Sequence, residues 1–270
     1  MARNTALKIG LLAALLAWTY AAAFWWMADR WWAADSYYSH GPLIPLVCAF
    51  LVWSLRKEIT ALPPASSGWG YVLIVAGLLL QIFSAVWRVY FSSALSLLIL
   101  LAGFVLAFGG RPLWKRTWFP IAFLLFMIPM PLVLIAQMSL SLKLWAAAAS
   151  ARIIWWFGIP VKQNGSILYM PHGAVMVEDV CSGLRSLISL LALGVLCTYL
   201  THGRLRKRIA MLAATVPIAL SANIFRICVI SMVSEVYGYQ LATGAFHDTM
   251  GFVAFGLAYG LFLVLGSWLR

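Results

Sequence analysis

Three segments of this chain carry residues that together could do chemistry: Cys181 in VEDVCSGLRS, Arg226 in SANIFRICVI and His247 in AFHDTMGF. A thiol, a guanidinium and an imidazole at one apolar–aqueous boundary suit acyl transfer. The thiolate attacks a carbonyl, histidine handles the leaving-group proton, and arginine holds the developing oxyanion. Cys181 follows Glu178 and Asp179 and opens an apolar run. At such a helix N-terminus the free N–H groups and the positive dipole end favour thiolate. The same N–H groups, with Ser182 and Gly183, can receive an oxyanion. The two carboxylates oppose a thiolate unless they point away or pair with a base such as Arg185. Arg226 lies inside an apolar run, where an arginine costs at least about 2.5 kcal/mol and so needs a partner or a task. Asn223, one turn earlier, is a candidate partner. His40, in YYSHGPLIP, competes with His247 for the base role. Cys48, Cys197 and Cys228 read as small apolar fillers of membrane helices.

The elements that position these residues follow from composition. Apolar residues make up 64% of the 270 and charged residues 10%, which excludes a soluble globular domain. Several apolar runs approach the length of about twenty residues needed to cross a hydrocarbon core. The net charge of +12 would suggest nucleic acid in a soluble protein. Here the basic residues sit between apolar runs and set topology, so no nucleic-acid partner is expected. The four cysteines lack CxxC spacing, and no zinc site, disulfide framework, other metal or cofactor is expected. The first apolar run lacks a clear small-residue cleavage site and reads as a retained helix.

The predicted fold is all-α, a single integral membrane domain over residues 1–270 with about eight crossings. These are Ile9–Ala28, Tyr37–Leu55, Gly70–Val86, Phe91–Gly110, Thr117–Ile135, Cys181–Leu200, Ile209–Tyr237 and Thr249–Leu269. The stretch 136–157, after the breaker Pro129-Met130-Pro131, carries Gln137, Lys143 and Arg152 and reads as an interfacial helix. Under this arrangement most basic residues share one side, which should be cytoplasmic, with both termini facing in. The segment 158–180 is then outward, and its Asn164-Gly165 and Pro171-His172-Gly173 turn signals predict a small hairpin. Cys181 opens the sixth crossing from outside. Arg226 lies seventeen residues into the seventh, roughly 25 Å up at about 1.5 Å each. His247 stands at the outer entrance of the last. The three share one depth near the outer surface.

The segments VCSGLRS, ANIFR and FHDTMG, with Cys181, Arg226 and His247, resemble the three signature regions of the exosortase/archaeosortase family. YSHGPLIP and IPMP also look like family features, and the resemblance spans roughly residues 37–251. It implies an integral membrane cysteine transpeptidase that recognises a C-terminal signal on exported proteins: a short motif (Pro-Glu-Pro in the bacterial branch), a transmembrane helix and a basic tail. Cleavage near the short motif would form a thioester on Cys181, with Arg226 and His247 completing the site. A membrane lipid or polysaccharide is then a possible acyl acceptor. Histidine in the third segment resembles the bacterial branch, where archaeal relatives often have arginine, and points to a Gram-negative inner membrane. Some exosortases carry a further C-terminal domain, and with Arg270 directly after the last helix that domain is expected to be absent. Two other classes stay open on the residues alone. One is a transporter, although no paired halves are evident; the other is an intramembrane thiol hydrolase or acyltransferase acting on lipid-linked substrate.

Overall fold

The computed structural model describes residues 10–11, 14–34, 36–177, 183–200, 205–242 and 244–268. The chain divides into two compact units, residues 1–130 and 131–270. It is an all-α, polytopic membrane protein. Among the described residues, five helices are long and apolar enough to cross a membrane by length and composition, and two shorter apolar helices accompany them.

The first unit contains α1 (Ala21–Trp31), α2 (Leu43–Ser54), the short α3 (Arg56–Thr60), α4 (Gly68–Trp87) and α5 (Tyr90–Phe123), which ends in the 3-10 turn Leu124–Met127. Helices α4 and α5 form a tight antiparallel hairpin across Arg88 and Val89. Glycines let their backbones approach: Gly77 lies against the main chain at Leu100, and Gly103 against Ile74. Helix α5 is two helices in one, because Gly110 adopts φ 63°, ψ −166° inside it. A side chain there would strain the left-handed backbone and meet Ala65, so the break needs glycine. The chain then re-enters a helix at once, where Arg111, Lys115 and Arg116 read in the sequence as a loop. Polar side chains inside this unit satisfy one another. Ser93 Oγ donates to Gln81 Oε1 at 2.7 Å, Gln81 Nε2 donates to the Thr19 carbonyl at 3.1 Å, and Tyr20 and Ser96 hydroxyls meet at 2.9 Å. Such pairing is what a membrane interior demands of buried polar groups.

Ile128–Pro131 interrupts the expected crossing Thr117–Ile135. Met127 closes the turn by accepting from Trp31 Nε1 at 2.9 Å, and the Met130 N–H donates to Tyr38 Oη at 3.2 Å. Pro131, in extended conformation (φ −54°, ψ 138°), then starts α6 (Leu132–Trp156). The stretch expected as an interfacial helix thus lies inside a continuous helix of 25 residues, one of the five long enough to cross. The two prolines act as breakers ahead of this helix, and its two cations do not interrupt it.

The second unit continues with strands β1 (Lys162–Asn164), β2 (Ile167–Met170) and β3 (Gly173–Met176), then α7 (Leu184–Leu200), α8 (Leu205–Tyr237), the short α9 (Tyr239–Ala242) and α10 (Ala245–Trp268). The strands form an antiparallel meander in the order β1-β2-β3. Both turn signals are where the chain reverses. Asn164 pairs with Ile167 across Gly165-Ser166, and Met170 with Gly173 across Pro171-His172. Alternate residues Leu168, Met170, Val175 and Val177 are buried against Ala146, Ala147 and Ile154 of α6 and Ile227 and Ile230 of α8, the two-residue period of a one-sided sheet. Helices α7, α8 and α10 meet through Leu190, Ala219, Ala222 and Ala258, whose three alanines allow close packing.

Candidate functional site

Cys181 and Ser182, with Glu178 and Asp179, lie outside the described residues. The description of the site therefore begins two residues further on, at the start of α7. Gly183 sits just before that helix at φ 79°. Its carbonyl accepts the Leu187 N–H at 2.8 Å and the Ser186 hydroxyl at 3.1 Å, so it is the residue that turns the chain into the helix. Glycine is required twice over: the backbone is left-handed, and a Cβ would lie 2.8 Å from the Asn223 amide. Asn223 is 4% exposed on α8. Packed on Gly183, it links the start of α7 to the middle of α8.

Arg226 follows Asn223 by three residues and so lies on the same side of α8. Its Nη2 is 3.2 Å from His247 Nε2 and 3.5 Å from Nδ1, and donates to the His247 carbonyl at 3.3 Å. A guanidinium has donors only, so the ring nitrogen it meets acts as acceptor. His247 is the third residue of α10. Four residues later, and therefore on the same helical face, Gly251 leaves open the space beside the guanidinium; a Cβ there would be 3.5 Å from Arg226 Cζ and Nη2. The arginine thus reaches from α8 to α10. Its Nε is buried and has no hydrogen-bond partner among the described residues. A donor held out of water without an acceptor is costly to leave so, and it is available to an incoming carbonyl or carboxylate.

The structure brings Arg226 and His247 into contact and Asn223 against the helix start that Cys181 precedes. Arg185 occupies the first turn of that helix, half-buried, with its carbonyl accepting from Ser189 Oγ at 3.0 Å. His40 belongs to the first unit, in the turn before α2, where its ring stacks on Tyr38 with centroids 5.9 Å apart. Cys48 is buried in α2. Cys228 is buried between α6 and α8, its thiol 3.9 Å from the Ser150 carbonyl, in keeping with a packing role.

Two features were given no role in the sequence reading. Gly251 closes the FHDTMG segment, and its spacing of four from His247 hints at a shared face. The other is a clasp at the sheet. Glu235, near the end of α8 and 8% exposed, takes the His172 N–H at 3.1 Å and the His172 ring Nδ1 at 2.6 Å. It fastens the β2–β3 turn to α8, and β3 leads directly toward residues 178–182.

The transmembrane exosortase family model matches residues 31–264, which include every residue of this cluster. No curated protein and no solved structure matched the chain.

Proposed function

Because the chain belongs to the transmembrane exosortase family, an integral membrane family of sorting-related enzymes, we propose that it is a cysteine peptidase and transpeptidase cutting C-terminal sorting signals from exported proteins. Its substrate carries a short Pro-Glu-Pro type motif, a transmembrane helix and a basic tail. In the proposed reaction, Cys181 passes its thiol proton to His247, and Sγ attacks the carbonyl carbon at the scissile bond. The negative charge that develops on the carbonyl oxygen is held by the N–H groups at the start of α7 and by Arg226. The C–N bond breaks, the leaving amine takes its proton from His247, and the acyl part remains on sulfur as a thioester. A hydroxyl or amine of the acceptor, or water, then attacks that carbon. His247 takes its proton and the thiolate departs.

One observation carries this reading: the contact of 3.2 Å between Arg226 and His247, on an α8 face whose Asn223 packs against Gly183. Cys181 precedes Gly183 by two residues, so covalent geometry limits the distance between their Cα atoms to roughly 7.6 Å. That tether supports a nucleophile acting together with these two partners. Arg226 Nε, buried and without a partner among the described residues, supports an acceptor role for the substrate carbonyl. We further propose that the site faces the periplasm of a Gram-negative inner membrane, because in the crossing pattern read from the sequence most basic residues fall in loops assigned to the cytoplasmic side.

The test is processing of a co-expressed substrate bearing such a signal. Cys181→Ala should abolish processing while the protein still inserts, whereas Cys48→Ala, Cys197→Ala and Cys228→Ala should remain active. Processing by Cys181→Ala would remove the thiol from the mechanism.

A further inference from the structure

The first unit carries a second feature that the proposed chemistry does not use. Where Gly110 breaks α5, Arg111, Pro112, Lys115 and Arg116 together with Leu62 line a recess of about 470 Å³. Arg116 is shared with Glu58 in an ion pair of 2.7 Å. Arg111 and Lys115 have no ion-pair or hydrogen-bond partner among the described residues. Two unpaired cations therefore converge on a cavity whose other wall is apolar.

The depth of this recess is fixed by its neighbours. Gly110 abuts Ala65, and the Ser67 N–H donates to the Leu106 carbonyl at 3.0 Å, so the 62–67 connection and the Gly110 break share one end of the unit. Exposed tryptophans mark that end: Trp53 is 58% and Trp69 68% exposed. The Arg56 guanidinium folds over Trp53, 4.1 Å from the ring centroid. Exposed indoles beside cations are the signature of the membrane–water interface. The anion best suited to this level, in a protein read as spanning the bilayer, is a lipid headgroup.

We propose that this recess is a binding site for an anionic phospholipid headgroup. Arg111 and Lys115 contact its phosphate, the guanidinium as a planar fork and the ammonium as a point charge. Leu62 and Pro112 form the apolar wall against its glycerol. Arg116 stays with Glu58 and completes the positive rim. The site lies within residues 1–130 and does not depend on the assignment of the nucleophile.

The test uses the full chain in neutral detergent, titrated separately with phosphatidylglycerol, phosphatidylcholine and inorganic phosphate, with bound ligand read by native mass spectrometry. Phosphatidylglycerol should be retained and phosphatidylcholine should not, and millimolar inorganic phosphate should fail to displace the lipid. The paired change Arg111→Gln with Lys115→Gln should weaken retention about thirtyfold, from two lost charges near a headgroup. Arg56→Gln with Lys57→Gln, an equal loss of charge at residues that do not line the recess, should weaken retention clearly less. If the first pair does not fold, Leu62→Glu supplies the alternative by placing a carboxylate in the recess with all cations kept, and it should abolish retention. Equal loss from both pairs, equal retention of phosphatidylcholine, retention by Leu62→Glu, or displacement by inorganic phosphate would each overturn the proposal.

Discussion

At the scale of the residue, the proposal turns on what Arg226 does. If it only balanced a charge, lysine would substitute in part. If its planar fork holds a substrate oxygen, lysine puts a point charge in the wrong place. Arg226→Lys should therefore fold and insert normally yet lose at least about a hundredfold in processing rate, the loss of one oxyanion donor. Near-normal turnover by a well-folded Arg226→Lys would make it a structural ion. The geometry already constrains the choice: Nη2 is committed to His247 and Nε has no partner among the described residues. The expense of a cation in an apolar run and the shared depth of Arg226 and His247 were legible in the sequence, because both follow from length and hydropathy. The Asn223–Gly183 packing was not. Sequence spacing ranks neighbours along one helix, whereas contacts between helices depend on rotation about their axes.

At the scale of the element, the clasp between His172 and Glu235 is the device that holds the meander to α8. The Glu235 side chain is almost wholly buried, and it accepts both the backbone N–H and the ring of His172. Glu235→Ala removes both bonds and should leave the helices intact while the hairpin amides of 167–176 exchange their hydrogens about tenfold faster. That factor corresponds to one charge-assisted hydrogen bond of about 1.5 kcal/mol. Unchanged exchange would mean the apolar face of Leu168 and Val175 holds the sheet unaided. The turns themselves were legible, since Asn-Gly and Pro-His-Gly have local backbone preferences that tertiary structure did not override. The helix breaks were less so. Three cations after Gly110 look like a loop by composition, but the helix restarts within one residue because only Gly110 leaves helical geometry. Pro129 and Pro131 marked a real interruption, but it falls inside the crossing expected over Thr117–Ile135 and ends that helix early. The helix after them is longer and more regular than its scattered charges suggested, because Lys143 and Arg152 are spaced far enough apart to leave apolar stretches on either side.

At the scale of the whole molecule, all-α membrane architecture was readable from apolar runs alone, as their lengths are dictated by bilayer thickness. Sidedness is a separate matter, argued from charge. We propose that 158–180 is periplasmic and the loop 201–208 cytoplasmic. Ser166→Cys and Thr201→Cys, in a background without reactive native thiols, should respond oppositely to a membrane-impermeant maleimide on intact spheroplasts. Ser166→Cys should be labelled and Thr201→Cys protected. The reverse pattern would invert the topology, and labelling of both would break it. Because α6 is long enough to cross, the two positions need to be read together with one in the 111–116 segment, which should behave as Thr201→Cys does.

The most direct test of the central claim is to capture the acyl-enzyme. Purified protein mixed with a substrate peptide containing the short motif is quenched in acid, digested, and analysed by mass spectrometry. The tryptic peptide 163–185, which contains Cys181 and no other cysteine, should carry the N-terminal part of the substrate in a linkage released by hydroxylamine, as a thioester is. Turnover of substrate with that peptide never modified, or with the adduct on Cys48, Cys197 or Cys228, would contradict the account.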